Sequence, residues 1–329
     1  MQNVTIVGLG LIGGSLGLAL KRWSADNENA LRITGFDTDI EHQQLAKKMK
    51  AVDDIPWSLP DAITDADIVI LAIPVGAMKQ AFEDIAPHLK FNAIVTDTGS
   101  TKTEVLEWAK ILPAHVSFVG AHPMAGGSRS LDAASADLFN GASWIICPSS
   151  TASELAIQTV LGLVAATNGE PFFVEPQEHD AYVAGISHLP FVVASSLVKT
   201  TMTDGSWRDM KTLASTGFRD TTRVALGSPE MHRDIVLTNR DAIGRWVDSM
   251  IKTLQEFRAE LVNEDEEAAK AALGQFFKDT QELRQQADLV QPRSAEMAAE
   301  DTNMAGSGML RSMLFGGFGN RNKDDKSRR

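Results

Sequence analysis

The sequence predicts an α/β protein, an N-terminal doubly wound parallel sheet followed by an all-helical domain, on three observations. A strand pattern over residues 4–7 runs directly into Gly8-x-Gly10-x-x-Gly13. Apolar runs of strand length then alternate with helical stretches up to about residue 175. Beyond residue 177 no strand pattern returns, and only amphipathic helical runs follow to about residue 286.

Val4, Ile6 and Val7 are apolar and β-branched, as a strand buried on both faces requires. Each glycine of the motif has its own physical reason. Gly8 permits the tight turn, Gly10 lets backbone approach a pyrophosphate, and Gly13 lets the helix pack closely on the strand. A second strand over 31–36 ends at Asp37, and an acid about 20 residues past the glycines is where a ribose 2′-hydroxyl is held. Together these features read as a Rossmann dinucleotide-binding unit. The stretch Asp37-Thr38-Asp39-Ile40-Glu41 has three acids and neither Lys nor Arg, so a 2′-phosphate would meet like charge there, which favours NAD over NADP. Capping of the following helix is the competing role for Asp37. The candidate cofactor contacts are Gly8, Gly10, Leu11, Ile12, Gly13, Asp37 and Pro74.

A polar helical stretch covers 41–49, and Pro56 and Pro60 break regularity before the next strand, 65–73, which Pro74 closes. A crossover helix over 75–89, a strand over 93–97, a helix over 102–112 and a strand over 116–119 continue the alternation. Two later strands, 143–147 and 171–174, flank a helix over 153–168. Ligands on such sheets sit beyond the carboxyl ends of the strands, so the loops after Val7, Phe36, Ile73, Val95 and Val119 are candidates for one shared site. The helical runs that follow cover 180–202, 207–213, 220–227, 230–238, 240–263 and 265–286. The predicted domains are therefore 1–175, 176–288 and a tail, 289–329, rich in Met, Gly, Ser and charge and expected to be disordered, with one apolar piece at 309–318. Apolar positions such as Val183, Ile186, Leu189, Val192 and Val193 exceed what one chain can bury, which predicts a helical interface in a homodimer.

Composition narrows the partners. The chain has 329 residues, 43% hydrophobic and 22% charged, as in ordinary globular proteins. A net charge of −12 argues against a nucleic-acid partner, since nothing compact and basic is available to neutralise phosphates. The single cysteine, Cys147, excludes an intrachain disulfide and a cysteine metal cluster, and its apolar surroundings predict a buried residue. No leader precedes Val4 and no apolar run nears membrane-spanning length, so a cytoplasmic protein without membrane contact is expected.

Seven histidines can be weighed singly. His42, His88 and His115 lie in polar or helix-end contexts and read as surface. His122 sits just past a buried strand at the carboxyl edge of the sheet, where an imidazole can take a proton from a hydroxyl while hydride leaves a nearby carbon. A structural histidine in a turn is the alternative. Ser100, in Asp97-Thr-Gly-Ser100-Thr-Lys102, is placed to cap a helix or to hold a substrate oxygen or orient His122. His179 and His188 are nine residues apart and would face opposite sides of a regular helix unless Pro190 bends it. Arg223, a few residues past Gly217 among small neighbours, suits two-point binding of a carboxylate or is an exposed helical arginine. No metal-ligand cluster is visible.

Gly8-x-Gly10-x-x-Gly13, Asp97-x-Gly-Ser-x-Lys102, Gly120-x-His-Pro-Met-Ala-Gly126, Glu178-His-Asp180, Ser187-His-Leu-Pro190 and Gly217-Phe-x-Asp-x-Thr-Arg223 occur in order over about residues 1–285. Taken together they resemble the prephenate and arogenate dehydrogenase family of tyrosine biosynthesis. The resemblance implies a Rossmann domain, a helical dimerisation domain and NAD-dependent oxidative decarboxylation of a small cyclohexadienyl acid, prephenate or arogenate. By position it implies that His122 accepts the hydrogen bond of the ring 4-hydroxyl, Ser100 assists on that hydroxyl, and Arg223 anchors a substrate carboxylate, with His179 and His188 as further cleft residues. In several prephenate-using members a second histidine follows Ser-His-Leu-Pro, where this chain has Phe191. A tryptophan often stands where His232 precedes Arg233-Asp234. Both positions bear on the side chain that separates prephenate from arogenate, and the choice stays open at this level. Hydroxyacid dehydrogenases or imine reductases of the same plan, and a non-catalytic NAD sensor, are the competing readings.

Overall fold

The computed structural model describes residues 1–127 and 130–287; the predicted tail and its 309–318 segment lie outside these. Seven strands form one sheet in the order β2-β1-β3-β4-β5-β6-β7: β1 (Gln2–Val7), β2 (Leu31–Phe36), β3 (Ile68–Leu71), β4 (Ile94–Asp97), β5 (Ser117–Pro123), β6 (Ser143–Pro148) and β7 (Glu170–Phe173). All neighbouring pairs are parallel except β5 and β6, which pair antiparallel with Gly120 opposite Cys147 and His122 opposite Ile145. The expectation of a wholly parallel sheet is corrected at this one pairing, beyond which β6 and β7 run opposite to the other five strands. Every parallel step needs a crossover, but the described part of the β5–β6 connection has only a short 3₁₀ turn, Leu131–Ala133, so the chain returns beside β5 in the opposite sense.

Helices α1 (Leu11–Asp26), α2 (Ile40–Lys48), α3 (Leu59–Ile63), α4 (Met78–Ile85), α5 (Thr103–Trp108) and α6 (Glu154–Ala166) accompany the sheet. Two apolar layers hold them. One gathers Val4, Ile6, Leu16, Leu20 and Ile33 with Val160, Leu163 and Val164 of α6. The other gathers Val7, Val69, Leu71, Phe82, Val95 and Phe118. Alternation along β1 explains the split, since successive residues of a strand enter opposite faces and both faces here are covered.

The second layer continues into the helical part through Ala184, Phe191, Ile235, Ala242 and Ile243, which seats those helices against one face of the sheet's core. Their order is α7 (Pro176–Val183), α8 (Leu189–Met202), α9 (Trp207–Met210), α10 (Thr216–Thr222), α11 (Pro229–Thr238), α12 (Arg240–Leu261) and α13 (Glu266–Gln286). Between α7 and α8 the backbone makes a π turn, Ala184–His188, with Pro190 in the first turn of α8. The rod Pro176–Met202 is long and apolar enough to cross a membrane by length and composition, which corrects the expectation that no run reaches that length. Its apolar stretches are interrupted by His179, Asp180 and His188, so the eye finds no single run, yet the helix joins them; those three polar residues are buried in protein. Apolar side chains stay exposed on α12 and α13, among them Trp246, Leu254, Phe277 and Leu283.

One buried ion pair ties the sheet to the first turn of α5. Asp97 at the end of β4 pairs with Lys102, both without exposed side-chain surface. Asp97 also accepts hydrogen bonds from the Gly99 N–H and, at 3.0 Å, from the Ala121 N–H of β5. Removing one partner leaves an uncompensated buried charge. Lys102→Ala is expected to lower unfolding free energy by about 3–5 kcal/mol, read from urea denaturation of the variant against the parent.

Candidate active site

The glycine turn has the geometry its sequence implies. Gly8 has φ +93°, and an added Cβ would lie 2.4 Å from the Ala72 carbonyl oxygen. A Cβ at Gly13 would lie 1.9 Å from the Gly8 carbonyl oxygen, so helix α1 and strand β1 approach too closely for any side chain. Gly10 differs, because a Cβ there meets nothing within 4 Å. It begins α1 with no side-chain cap, which leaves helix N–H groups and open space together, the combination a pyrophosphate requires. Leu11 and Ile12 are half-buried in the first turn, and Pro74 is exposed at the start of the turn after β3.

Asp37 accepts hydrogen bonds from the Leu9 N–H at 2.6 Å and the Asp39 N–H at 2.8 Å. The helix cap is Asp39, which accepts from Glu41 N–H. Asp37 is thus fixed beside the glycine turn instead of capping α2. His42, expected at the free surface, has partners: its Nδ1 is 3.6 Å from Asp37 and its Nε2 is 3.2 Å from the Ser130 hydroxyl.

His122 lies on β5 itself, not past its end, because pairing with β6 extends the strand to Pro123. It retains 8% of its exposure, whereas His179 retains 1% and His188 none. Its Nδ1 is 3.0 Å from His179 Nε2, with the rings edge to face. His179 Nδ1 is 2.8 Å from Asp180 Oδ1. The Asp180 carboxylate also accepts from the Lys102 N–H at 2.8 Å and the Thr103 N–H at 2.9 Å. These bonds close the start of α5, so Ser100 is not its cap, correcting that expectation. The Ser100 hydroxyl makes no hydrogen bond to a described residue. Asn239, between α11 and α12, donates to the Asp180 carbonyl at 2.7 Å and contacts His188 Nδ1 at 3.3 Å. His188 Nε2 has no partner among the described residues.

Both histidines of the long helix thus join one cluster, and the π turn is the reason. An extra residue in the turn rotates everything after it by about 100° relative to a regular helix, bringing His188 back toward the side of His179. His179, expected to meet substrate, has protein partners on both ring nitrogens.

Burial sets the protonation of this cluster. It pushes His122 well below the ordinary imidazole range, with His179, Lys102 and His188 adding to the effect. Burial likewise takes His188 down to about 4, against a smaller opposing pull from Asp180. For Asp180 burial acts upward, but hydrogen bonds from His179, Thr103 and Lys102 outweigh it and hold the carboxyl below its usual value. At neutral pH His122 and His188 are therefore uncharged, beside an ionised Asp180 carboxylate.

Arg223 stands apart. It is exposed where α10 gives way to a 3₁₀ turn, Arg223–Leu226, and pairs with no described residue. Phe191 stacks on His232, centroids 4.2 Å apart and rings 6° from parallel, and lies 5.9 Å from the His188 ring. The two departures from the family pattern therefore touch each other beside the histidine cluster. Reading the sequence missed Asp180 and Asn239 as members of the site. Asp180 had a signal in its place next to His179, but Asn239 comes from a helix junction that nothing local marks.

The chain matches the model of the prephenate dehydrogenase nucleotide-binding domain over residues 16–171 and that of the prephenate dehydrogenase dimerization domain over 175–278. It is 36% identical over 287 residues to prephenate dehydrogenase of Bacillus subtilis, covering 86% of this chain and 75% of that one. With cyclohexadienyl dehydrogenase of Zymomonas mobilis it shares 31% identity over 289 residues, 86% and 95% of the two chains. The crystal structure of Aquifex aeolicus prephenate dehydrogenase with hydroxyphenyl propionate and NAD+ superposes with a TM-score of 0.76 at 29% identity, covering 86% of this chain and 98% of that one. Synechocystis arogenate dehydrogenase gives 0.68 at 28%, covering 86% and 100%. A nucleotide-binding turn, a histidine cluster at the sheet's edge and matches running through both domains agree: this chain belongs to the prephenate dehydrogenase family.

Proposed function

We propose that the protein oxidatively decarboxylates prephenate to 4-hydroxyphenylpyruvate with NAD, His122 acting as the base. The observation that carries this reading is the almost buried imidazole of His122 near the carboxyl end of β5, joined to the Asp180 carboxylate through His179. The glycine turn fits NAD: Gly10 has the room, the uncapped start of α1 has the N–H groups, and Asp37 stands beside them. Bound there, NAD supplies the hydride acceptor. His122 takes the proton of the ring 4-hydroxyl as that carbon gives up hydride. Loss of the ring carboxylate as carbon dioxide then returns an electron pair to the same oxygen, which recovers a proton, and aromatisation drives the sequence. Ser100, with its hydroxyl uncommitted, holds the substrate hydroxyl, and the exposed guanidinium of Arg223 binds a substrate carboxylate. Such a reaction asks the protein for position, one base and an anchor.

The exposed apolar faces of α12 and α13, in the region matched by the dimerization-domain model, favour a homodimer. Light scattering after size exclusion is expected to give twice the chain mass of 35.6 kDa.

His122→Asn is expected to lower kcat by about 10²- to 10⁴-fold with little change in NAD affinity, followed by NADH absorbance and nucleotide titration. Near-normal turnover would overturn the assignment. Arogenate, assayed in parallel, is expected to be the poorer substrate. Because burial depresses His122, the ring stays unprotonated below pH 6.5, and kcat/KM is expected to hold through that pH and fall only in more acidic solution.

A further inference from the structure

Asp180 and His179 sit behind the proposed base, out of reach of substrate. Asp180 is at most slightly exposed and His179 is buried. We propose that Asp180, acting through His179, fixes the tautomer of His122 and balances its charge when it is protonated, making Asp180 and His179 positioning residues for the proton-accepting step. This rests on the reading of His122 as base.

The assignment follows from counting donors. A carboxylate has only lone pairs to offer, so at 2.8 Å from Asp180 the His179 Nδ1 is the donor. In the neutral form of His179, donation at Nδ1 leaves Nε2 as the acceptor, and the atom 3.0 Å away is His122 Nδ1. His122 therefore carries its proton on Nδ1, and its Nε2, which bonds to no described residue, keeps its lone pair. That is the nitrogen left to take a proton. Without the carboxylate nothing forces this choice, since His179 could reverse its donor and acceptor and leave His122 with a proton on Nε2.

The chain of bonds is held firmly at its far end. Asp180 accepts from two backbone N–H groups at the start of α5, and its own carbonyl accepts from Asn239. The start of α5 thus fixes the carboxylate, and the junction of α11 and α12 fixes its backbone. The charged and titratable groups facing His122 are His179 from α7, Lys102 before α5 and His188 from the π turn; Asp97 on β4 neutralises Lys102. Asp180, next along the chain of bonds, is the anion left to offset an imidazolium at His122.

A second role for Asp180, closing the first turn of α5, is structural and makes a different prediction. The test uses the full-length chain with nitrogen-15 labelled histidine, His122→Asn supplying the resonance assignment. In the parent, His122 is expected to show a protonated Nδ1 and an unprotonated Nε2. In Asp180→Asn the two nitrogens are expected to lose that difference, kcat to fall at least about 10²-fold with KM for prephenate within a few-fold, and the acidic limb of kcat/KM to move to lower pH, because a nearby anion no longer favours the imidazolium. Unchanged nitrogen signals and an unchanged pH profile would overturn the proposal, whatever happens to melting temperature. Should Asp180→Asn fail to fold, His179→Gln and His179→Ala replace it. Glutamine can donate to Asp180 and accept from His122, so it is expected to keep at least tenfold more turnover than alanine; equal losses would refute the relay. The nitrogen spectrum needs no turnover, so a failure of the reaction assignment, seen as an active His122→Asn, is distinguishable from a failure of this one.

Discussion

A carboxylate that is almost wholly buried has to be surrounded by donors, and the arrangement of this molecule follows from how Asp180 meets that requirement. Its donors come from the start of α5 and from His179, and Asn239 holds its backbone. The Rossmann sheet and the helical region are thereby locked together beside His122.

A buried charge pair, Asp97 with Lys102, adjoins this carboxylate, since the Lys102 N–H also bonds Asp180. It binds the end of β4 to the Gly99 turn and to β5, the strand that carries His122. Buried ion pairs add little net stability compared with apolar packing, but they are sensitive to geometry. Here that sensitivity fixes the rim of the sheet, while the two apolar layers supply the bulk of the stability.

Most of the fold was legible because its signals are local. Glycine spacing, β-branched runs and the stop at Pro74 mark the sheet, and the loss of strand pattern near residue 175 marks the helices. The antiparallel β6 was not legible, since strand direction depends on how the chain returns and not on the strand's own residues. Within the histidine cluster, His122 was recognisable by its place near the carboxyl end of a buried strand. Spacing put His179 and His188 on opposite sides of a regular helix unless Pro190 bent it, and the π turn that brings them together is a tertiary choice that spacing does not report. Asp180 was quoted as part of a motif without a role, because its partners lie 77 and 78 residues away in the chain.

The three glycines of the first turn divide two kinds of vulnerability between them. At Gly13 and Gly8 the neighbouring backbone leaves no room, so a side chain there is an injury to folding. At Gly10 the room exists, and a side chain would fit the empty protein comfortably while occupying the volume a phosphate needs. A lineage drifting at that single position would keep an intact fold that had quietly lost its coenzyme, a lesion invisible to any screen based on expression level or solubility.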